Sequence, residues 1–137
     1  MYGAGKELTK IRHVDGEGTL IIGNAGSTVG YHLEGFTADC RYTELAPAAA
    51  NNGISLADTN DVTIKDVRVI DYLEDAILIF STSAGTHKNA TIVDCDCDGN
   101  TKAGNGFLIS SYENGRIINS FAKNVRTTEG SGFRILK

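Results

Sequence analysis

A six-residue pattern recurs four times in this chain, and it constrains the fold more than any other feature of the sequence. In each copy the first residue is Leu or Ile, the third is Gly, Asp or Asn, and the fourth and sixth are mostly small or apolar. The copies are residues 33–38, 64–69, 92–97 and 117–122. Apolar residues alternate within each copy, and this period of two predicts β-strands.

The third position of the pattern predicts a sharp bend between two short strands. Gly, Asp and Asn adopt the left-handed backbone conformation more easily than other residues, so one of them turns the chain without a loop. Stacked copies would place the bend residues in one column, which contains Gly35, Asp66, Asp94 and Asn119. The inward side chains would form three more columns: Leu33–Ile64–Ile92–Ile117, Phe36–Val67–Cys95–Ser120 and Ala38–Val69–Cys97–Ala122.

A second recurring block predicts a further strand in each repeat. Its copies are residues 53–56, 76–79, 106–109 and 132–135, with a partial copy at 18–21. Successive copies begin 35, 23, 30 and 26 residues apart. A solenoid of helices would keep a more regular period, so the unequal spacing favours a coil of strands joined by loops of different length.

The two blocks together resemble the right-handed parallel β-helix of the pectin-lyase-like superfamily, from about residue 17 to residue 137. This resemblance implies an all-β fold, a single-stranded solenoid of about four to five rungs. Residues 1–16 are then a partial first rung or an N-terminal extension. The chain stops inside a strand pattern without a polar cap, so we expect residues 1–137 to be a segment of a longer β-helix, or another subunit to cover this end.

Within that superfamily the chain is most similar to a phage tailspike or appendage segment. The rung lengths are irregular, the turns are rich in Ser, Thr and Asn, and the N-terminus lacks the apolar stretch of a signal peptide. The resemblance implies a protein of the virion tail or extracellular space that recognises host surface polysaccharide, with or without cleaving it. The alternatives are a fragment of a bacterial polysaccharide lyase, hydrolase or epimerase, and a structural assembly module.

The net charge and the lengths of the apolar runs disfavour two kinds of partner, and the cysteine count bears on disulfide bonds. Lys and Arg number 13 against 17 Asp and Glu, and this net charge of −4 disfavours a nucleic-acid partner. No apolar run approaches the about 20 residues that a membrane-spanning helix needs. Cys40, Cys95 and Cys97 are an odd number of cysteines, so we predict that all three are reduced and buried.

Acidic residues are the candidates for catalysis or for Ca²⁺ binding, because both require several carboxylate oxygens. The candidate set is Asp71, Glu74, Asp75, Asp96 and Asp98. The alternative is a set of surface ion pairs, since stacking would place Arg68 beside Asp96 and Lys123 near Asp98. No other metal or cofactor is predicted.

Two further groups suggest contact surfaces. Tyr42, Tyr72 and Tyr112 lie near predicted turns, where they would form a glycan track or only cover the edge of the core. In the second block, the outward positions include Leu78, Phe80 and Leu108, and none of the outward positions is acidic. An apolar outer face predicts a subunit interface, most simply of a homotrimer, unless the inward and outward sets are exchanged.

Overall fold

The computed structural model describes residues 1–14, 19–24, 30–45, 52–83, 87–125 and 131–136. Strands contain 63% of the described residues and helix contains 3%. The strands form a parallel β-solenoid of about four turns, which confirms the all-β, parallel β-helix fold expected from the repeat.

Twelve strands and one short helix make up the described part of the chain. They are β1 (Lys10–Arg12), β2 (Ile21–Asn24), β3 (His32–Asp39), α1 (Tyr42–Leu45), β4 (Ile54–Ala57), β5 (Val62–Ile70), β6 (Asp75–Phe80), β7 (His87–Val93), β8 (Asp96–Ala103), β9 (Asn105–Ser110), β10 (Tyr112–Ile118), β11 (Phe121–Val125) and β12 (Phe133–Leu136). The described helix is too short and too polar to cross a membrane.

The strands pair in two parallel sheets. Sheet 1 has the order β1-β3-β5-β7-β10, and β5 also pairs with β8, which pairs with β11. We call the part of the sheet that follows the bend residues its bent half. This half contains β1, the C-terminal parts of β3 and β5, β8 and β11. Sheet 2 has the order β12-β9-β6-β4-β2. The chain alternates between the sheets, so each turn of the solenoid contributes strands to both, and the core lies between them.

The predicted column of bend residues is confirmed by backbone geometry. The φ angles are 74° at Gly35, 49° at Asp66, 54° at Asp94 and 43° at Asn119, all in the left-handed region. Asn119 also donates from Nδ2 to Asp94 Oδ1 at 2.6 Å. The bend is therefore stabilised within each turn by backbone preference, and between the last two turns by a side-chain hydrogen bond.

A second corner of the solenoid uses the same chemistry. Asp61, Asn89 and Asn114 have φ angles of 56°, 61° and 59°. Asn89 donates to Asp61 Oδ1 at 2.8 Å, and Asn114 donates to Asn89 Oδ1 at 3.2 Å. These residues form a ladder of side-chain hydrogen bonds along the axis, and the six-residue pattern did not predict it.

The three predicted inward columns are also confirmed. Strand pairing aligns Leu33 with Ile64, Ile64 with Ile92, and Ile92 with Ile117. It likewise aligns Val69 with Cys97 and then with Ala122. The fully buried members, each 0% exposed, are Phe36, Ala38, Ile64, Val67, Val69 and Ile92. The alternation of apolar and polar residues in the sequence therefore predicts correctly which side chains of sheet 1 point into the core.

The partial copy of the second block was aligned wrongly. The sequence placed residues 18–21 beside residues 53–56, whereas the structure places Ile21 beside Ile54 and Gly23 beside Leu56. The shift is two residues, so inward and outward faces are conserved. Gly23 faces the core, where an added Cβ would lie 2.6 Å from Leu56 Cδ2, and this crowding explains a glycine at an inward position that is apolar elsewhere.

The described part of the N-terminal segment pairs with β3. Tyr2 bridges to Glu34, and β1 pairs with residues Thr37 to Asp39 of β3. Residues 3–9 between these pairings form what we call the bulge, in which the Gly5 amide donates to the carbonyl of the bend residue Gly35 at 2.8 Å and Lys6 reaches the bend residue Asp66. The assignment of residues 1–16 to a partial first rung or to an N-terminal extension stays a prediction, and residues 15 and 16 lie outside the described part.

The three cysteines are free and buried, as predicted. Burial raises the pKa of the Cys95 thiol to about 11 and those of Cys40 and Cys97 to about 12. Since the thiolate is the reactive form, these thiols are inert core residues at neutral pH.

Candidate functional site

The outward side of the bent half of sheet 1 has two columns of mostly charged side chains. Strand pairing gives the columns as Lys10–Thr37–Arg68–Asp96–Phe121 and Arg12–Asp39–Ile70–Asp98–Lys123. We call this surface the charged face. Neighbouring rungs are about 4.8 Å apart, so five rungs give the face a length of about 19 Å along the axis.

Ion pairs connect successive rungs of the charged face. Asp39 Oδ2 lies 2.9 Å from Lys10 Nζ and 3.2 Å from Arg12 Nε. Arg68 donates to both carboxylate oxygens of Asp96, at 2.8 and 3.1 Å. This fork raises the pKa of the Arg68 guanidinium, because the carboxylate stabilises its charged form.

The predicted pairing of Lys123 with Asp98 is also present, with Nζ and Oδ2 3.0 Å apart. Asn124 Nδ2 donates to the other oxygen, Asp98 Oδ1, at 2.8 Å. Both ion pairs anticipated from stacking, Arg68–Asp96 and Lys123–Asp98, therefore exist in the structure.

The bulge of the N-terminal segment adds two charges to this surface. Lys6 Nζ lies 3.5 Å from Asp66 Oδ1 and 3.4 Å from Asp96 Oδ2, and it donates to the Asp94 carbonyl at 3.2 Å. Glu7 Oε1 lies 2.8 Å from Arg68. The bulge therefore bridges three turns of the solenoid, and its charges complete a network around Arg68.

Two clefts open along the charged face. The larger, of about 400 Å³, is lined by Arg68, Ile70, Asp96, Cys97, Asp98, Phe121 and Lys123. The smaller, of about 240 Å³, is lined by Lys6, Glu7, Lys10, Thr37, Arg68 and Ile70. They share Arg68 and Ile70, so they are adjacent on this face, and we refer to the two together as the depression. The Phe121 side chain is 62% exposed at the edge of the larger cleft.

The five candidate carboxylates come from two parts of the chain. Asp96 and Asp98 lie on the charged face, whereas Asp71, Glu74 and Asp75 lie between β5 and the start of β6. The Asp71 amide donates to the Asp98 carbonyl at 2.9 Å, so these two residues are neighbours. Among the described residues, no group of three or more His, Cys, Asp or Glu is placed to hold a metal ion. The Ca²⁺ site stays a prediction.

Two of the three carboxylates after β5 have structural partners. Asp71 accepts hydrogen bonds from the Thr43 amide at 3.0 Å and from the Thr43 hydroxyl at 2.7 Å, so it caps the first turn of α1. Asp75 is buried and accepts a hydrogen bond from Asn105 Nδ2 at 2.7 Å. Burial raises the pKa of the Asp75 carboxyl, while Asn105 opposes that rise. Glu74 is exposed.

The predicted track of tyrosines is not assembled. Tyr72 is fully buried, and its hydroxyl donates to Cys97 Sγ at 3.3 Å. Tyr112 is 6% exposed, and its hydroxyl donates to the Thr59 carbonyl at 2.7 Å. Neither ring offers a face to a sugar, so both fill the core, which corrects the glycan-binding expectation for them. Tyr42, at the start of α1, is partly exposed.

The outer side of sheet 2 is largely apolar, as predicted, although the column of Leu78 and Leu108 also contains Ser55 and Arg134. Leu78 lies beside Leu108 in the outward column, and both are partly exposed. Their neighbours Ile77 and Ile109 are fully buried on the inward side. The alternative of exchanged inward and outward sets is therefore wrong. Ile22 extends the apolar surface on β2, with 73% of the residue exposed.

A buried polar corner, which the sequence did not reveal, joins Asp58, Ser81 and His87. Ser81 Oγ lies 2.8 Å from His87 Nδ1, and Asp58 Oδ1 lies 3.9 Å from the same nitrogen. A catalytic triad needs its Asp and Ser on opposite nitrogens of the imidazole. This arrangement is therefore a hydrogen-bonded corner of the fold, in which Asp58 also accepts from the Thr82 amide at 2.8 Å.

No family model matches the chain, and no curated protein or solved structure gives a significant match. The protein is defined by its own strand pairing as a parallel β-solenoid with one charged and one apolar outer face. Sequence reasoning missed Lys6, Glu7 and Phe121. Phe121 is at the fifth position of the six-residue pattern, and the period of two already places that position outward. Lys6 and Glu7 lie outside the repeat, so the pattern contains no signal for them.

Proposed function

We propose that this chain is a β-helical segment of a tailspike-like protein that binds host surface polysaccharide along its charged face. The observation that carries the proposal is the exposed ring of Phe121 beside the Asp98–Lys123 pair in the larger cleft. A sugar presents apolar C–H faces and polar hydroxyls together. An aromatic ring flanked by hydrogen-bond donors and acceptors complements both.

The shape of the depression supports an elongated ligand. Its two clefts lie next to each other across successive rungs, and Arg68 and Ile70 line both of them. Every residue that lines the larger cleft belongs to one of the paired strands β5, β8 and β11, and the N-terminal bulge adds Lys6 and Glu7 to the smaller cleft. A rigid, preformed depression lowers the entropic cost of binding a flexible polysaccharide.

The ion pairs favour recognition over cleavage within this segment. Glycoside hydrolysis uses one protonated carboxyl and one ionised carboxylate on either side of the bond. Asp96 is paired with Arg68 and Lys6, and Asp98 is paired with Lys123, so both carboxylates are already engaged in ion pairs. Cleavage of the polysaccharide by the full protein, and a location of the protein in the virion tail or outside the cell, are further parts of the proposal.

Binding to an array of bacterial surface oligosaccharides tests the proposal. We expect at least one repeat unit to bind, and Phe121→Ala to weaken that binding about tenfold, the equivalent of about 1.4 kcal/mol. Tyr2→Ala is the matched control, since Tyr2 is an aromatic residue that is 73% exposed but lies outside the clefts. An array without any bound glycan, or equal binding by the Phe121 variant and wild type, would refute the proposal.

A homotrimer is the second proposal, and the apolar outer side of sheet 2 supports it. Burial of Leu78, Phe80 and Leu108 between subunits would contribute about 1.5–3 kcal/mol for each fully buried side chain. An assembly role is compatible with glycan binding, because the charged face belongs to sheet 1. Sedimentation of wild type and of a Leu78→Lys, Leu108→Lys double variant tests it. We expect a trimer that the double variant dissociates, and a wild-type monomer at micromolar concentration would exclude this interface.

A further inference from the structure

We infer that the charged face selects uncharged glycans and discriminates against anionic ones, such as polymers that contain uronate or sulfate. This inference rests on the proposed function and adds the chemical class of the ligand. It comes from the charge balance of the ion-pair network around the depression and from the way in which each charge of the network is already paired.

The ion-pair network around the depression is electrically balanced. Its five cations are Lys6, Lys10, Arg12, Arg68 and Lys123, and its five carboxylates are Glu7, Asp39, Asp66, Asp96 and Asp98. Arg12, Asp39 and Asp66 belong to this network beside the clefts, and the other seven line them. Every one of these charges has an opposite charge within 3.5 Å. The network therefore has no net positive charge with which to attract a polyanion.

Arg68 shows why an anionic ligand is disfavoured locally. A guanidinium recognises a carboxylate best through two parallel N–H donors. In Arg68, Asp96 already engages Nε and a terminal nitrogen, and Glu7 approaches the same terminal nitrogen at 2.8 Å. A ligand carboxylate would have to displace Asp96, and the displaced carboxylate would remain nearby to repel the ligand.

Hydroxyl groups can bind to the same pairs without separating them. A carboxylate oxygen accepts more than one hydrogen bond, and an ammonium group has three donors. Neighbouring hydroxyls of a sugar can thus donate to Asp98 and accept from Lys123 while the ion pair stays closed. The Phe121 ring, which belongs to the same cleft, would stack on the apolar face of that sugar.

The inference predicts a gain of anion binding when one carboxylate is neutralised. Asp98→Asn would leave Lys123 without its carboxylate, and the depression would gain one positive charge. Glu113→Gln is the matched control. It removes the same charge from a pair with Lys88, at 3.1 Å, on the unbent half of sheet 1.

The experiment measures binding of wild type and both variants to neutral bacterial surface oligosaccharides and to uronate-bearing oligosaccharides of the same length, at low and high NaCl. For wild type we expect neutral oligosaccharides to bind at least tenfold more tightly, with less than a twofold change between the two salt concentrations. Asp98→Asn should narrow that preference at least threefold at low salt, and Glu113→Gln should leave it unchanged.

Each other result is decisive. Tighter binding of the uronate-bearing oligosaccharides by wild type, or binding that falls steeply with salt, would overturn the inference and leave the proposed function standing. An unchanged preference in Asp98→Asn would also overturn the inference. Absence of binding to both classes would overturn the proposed function itself, and the inference with it.

Discussion

Replacement of Ile92 by Asp is expected to unfold the protein. Ile92 is fully buried in the inward column between Ile64 and Ile117, and neither neighbour has a polar group to offer. Truncation of a buried Ile costs about 2–5 kcal/mol, and burial of an unpartnered polar group costs about 1–3 kcal/mol more. This total of about 3–8 kcal/mol is comparable with the about 5–15 kcal/mol stability of a typical domain.

Val93→Asp is the matched control, because it makes the adjacent residue acidic on the outward side. Val93 is partly exposed and lies beside Lys65, whose ammonium favours a neighbouring carboxylate. We expect this variant to lose no more than about 1 kcal/mol. Urea unfolding followed by far-UV circular dichroism measures both variants, and acidic pH should partly rescue Ile92→Asp by neutralising the carboxylate. Equal transition midpoints for the two variants would show that the alternation of faces is wrong.

Three further predictions concern single side chains. Asp75→Asn should stabilise the protein at pH 7 and lose that advantage in acid. Burial raises the pKa of Asp75, so the folded protein binds the Asp75 proton more tightly than the unfolded chain does. The wild type therefore loses stability as pH rises through the raised pKa of the folded state. Melting curves of both proteins from pH 3 to 8 test this. Asn119→Ala should be about 1 kcal/mol less stable than Asn119→Gly, because both remove the side-chain amide but only Ala is strained at a φ of 43°; equal urea midpoints would contradict this. Lys6→Ala should speed hydrogen exchange at the Gly5 amide, which donates to the Gly35 carbonyl, and unchanged exchange would show that the Lys6 contacts do not restrain the bulge.

The fold could be predicted from the sequence because two local rules reinforce each other. A period of two fixes which side chains face the core, and a residue suited to the left-handed region fixes where the chain bends. Copies that share both features, such as those around Asp66 and Asp94, can stack in only one register. The predicted register was wrong at residues 18–21. Glycine replaces the apolar side chain at inward position 23, so the pattern has no apolar residue there with which to align this copy.

The candidate site was predicted only in part. Cross-rung ion pairs follow directly from register, so the partners of Asp96 and Asp98 could be named. Tyr72 was misassigned because a tyrosine near a turn has the same sequence context whether its ring points outward or inward. Lys6 lies far from its partner Asp96 in sequence and outside the repeat, and no local pattern relates the two.

The bend column also determines where this architecture can change its length. Successive turns, measured along the column that starts at Leu33, contain 31, 28 and 25 residues, yet the bent stretch around each bend residue keeps a constant length. All variation in length is therefore confined to the other connections of each turn. Insertions and deletions there alter surface loops without shifting any strand of sheet 1 against its neighbour. The outer surface can consequently diversify while the stacked core remains in register.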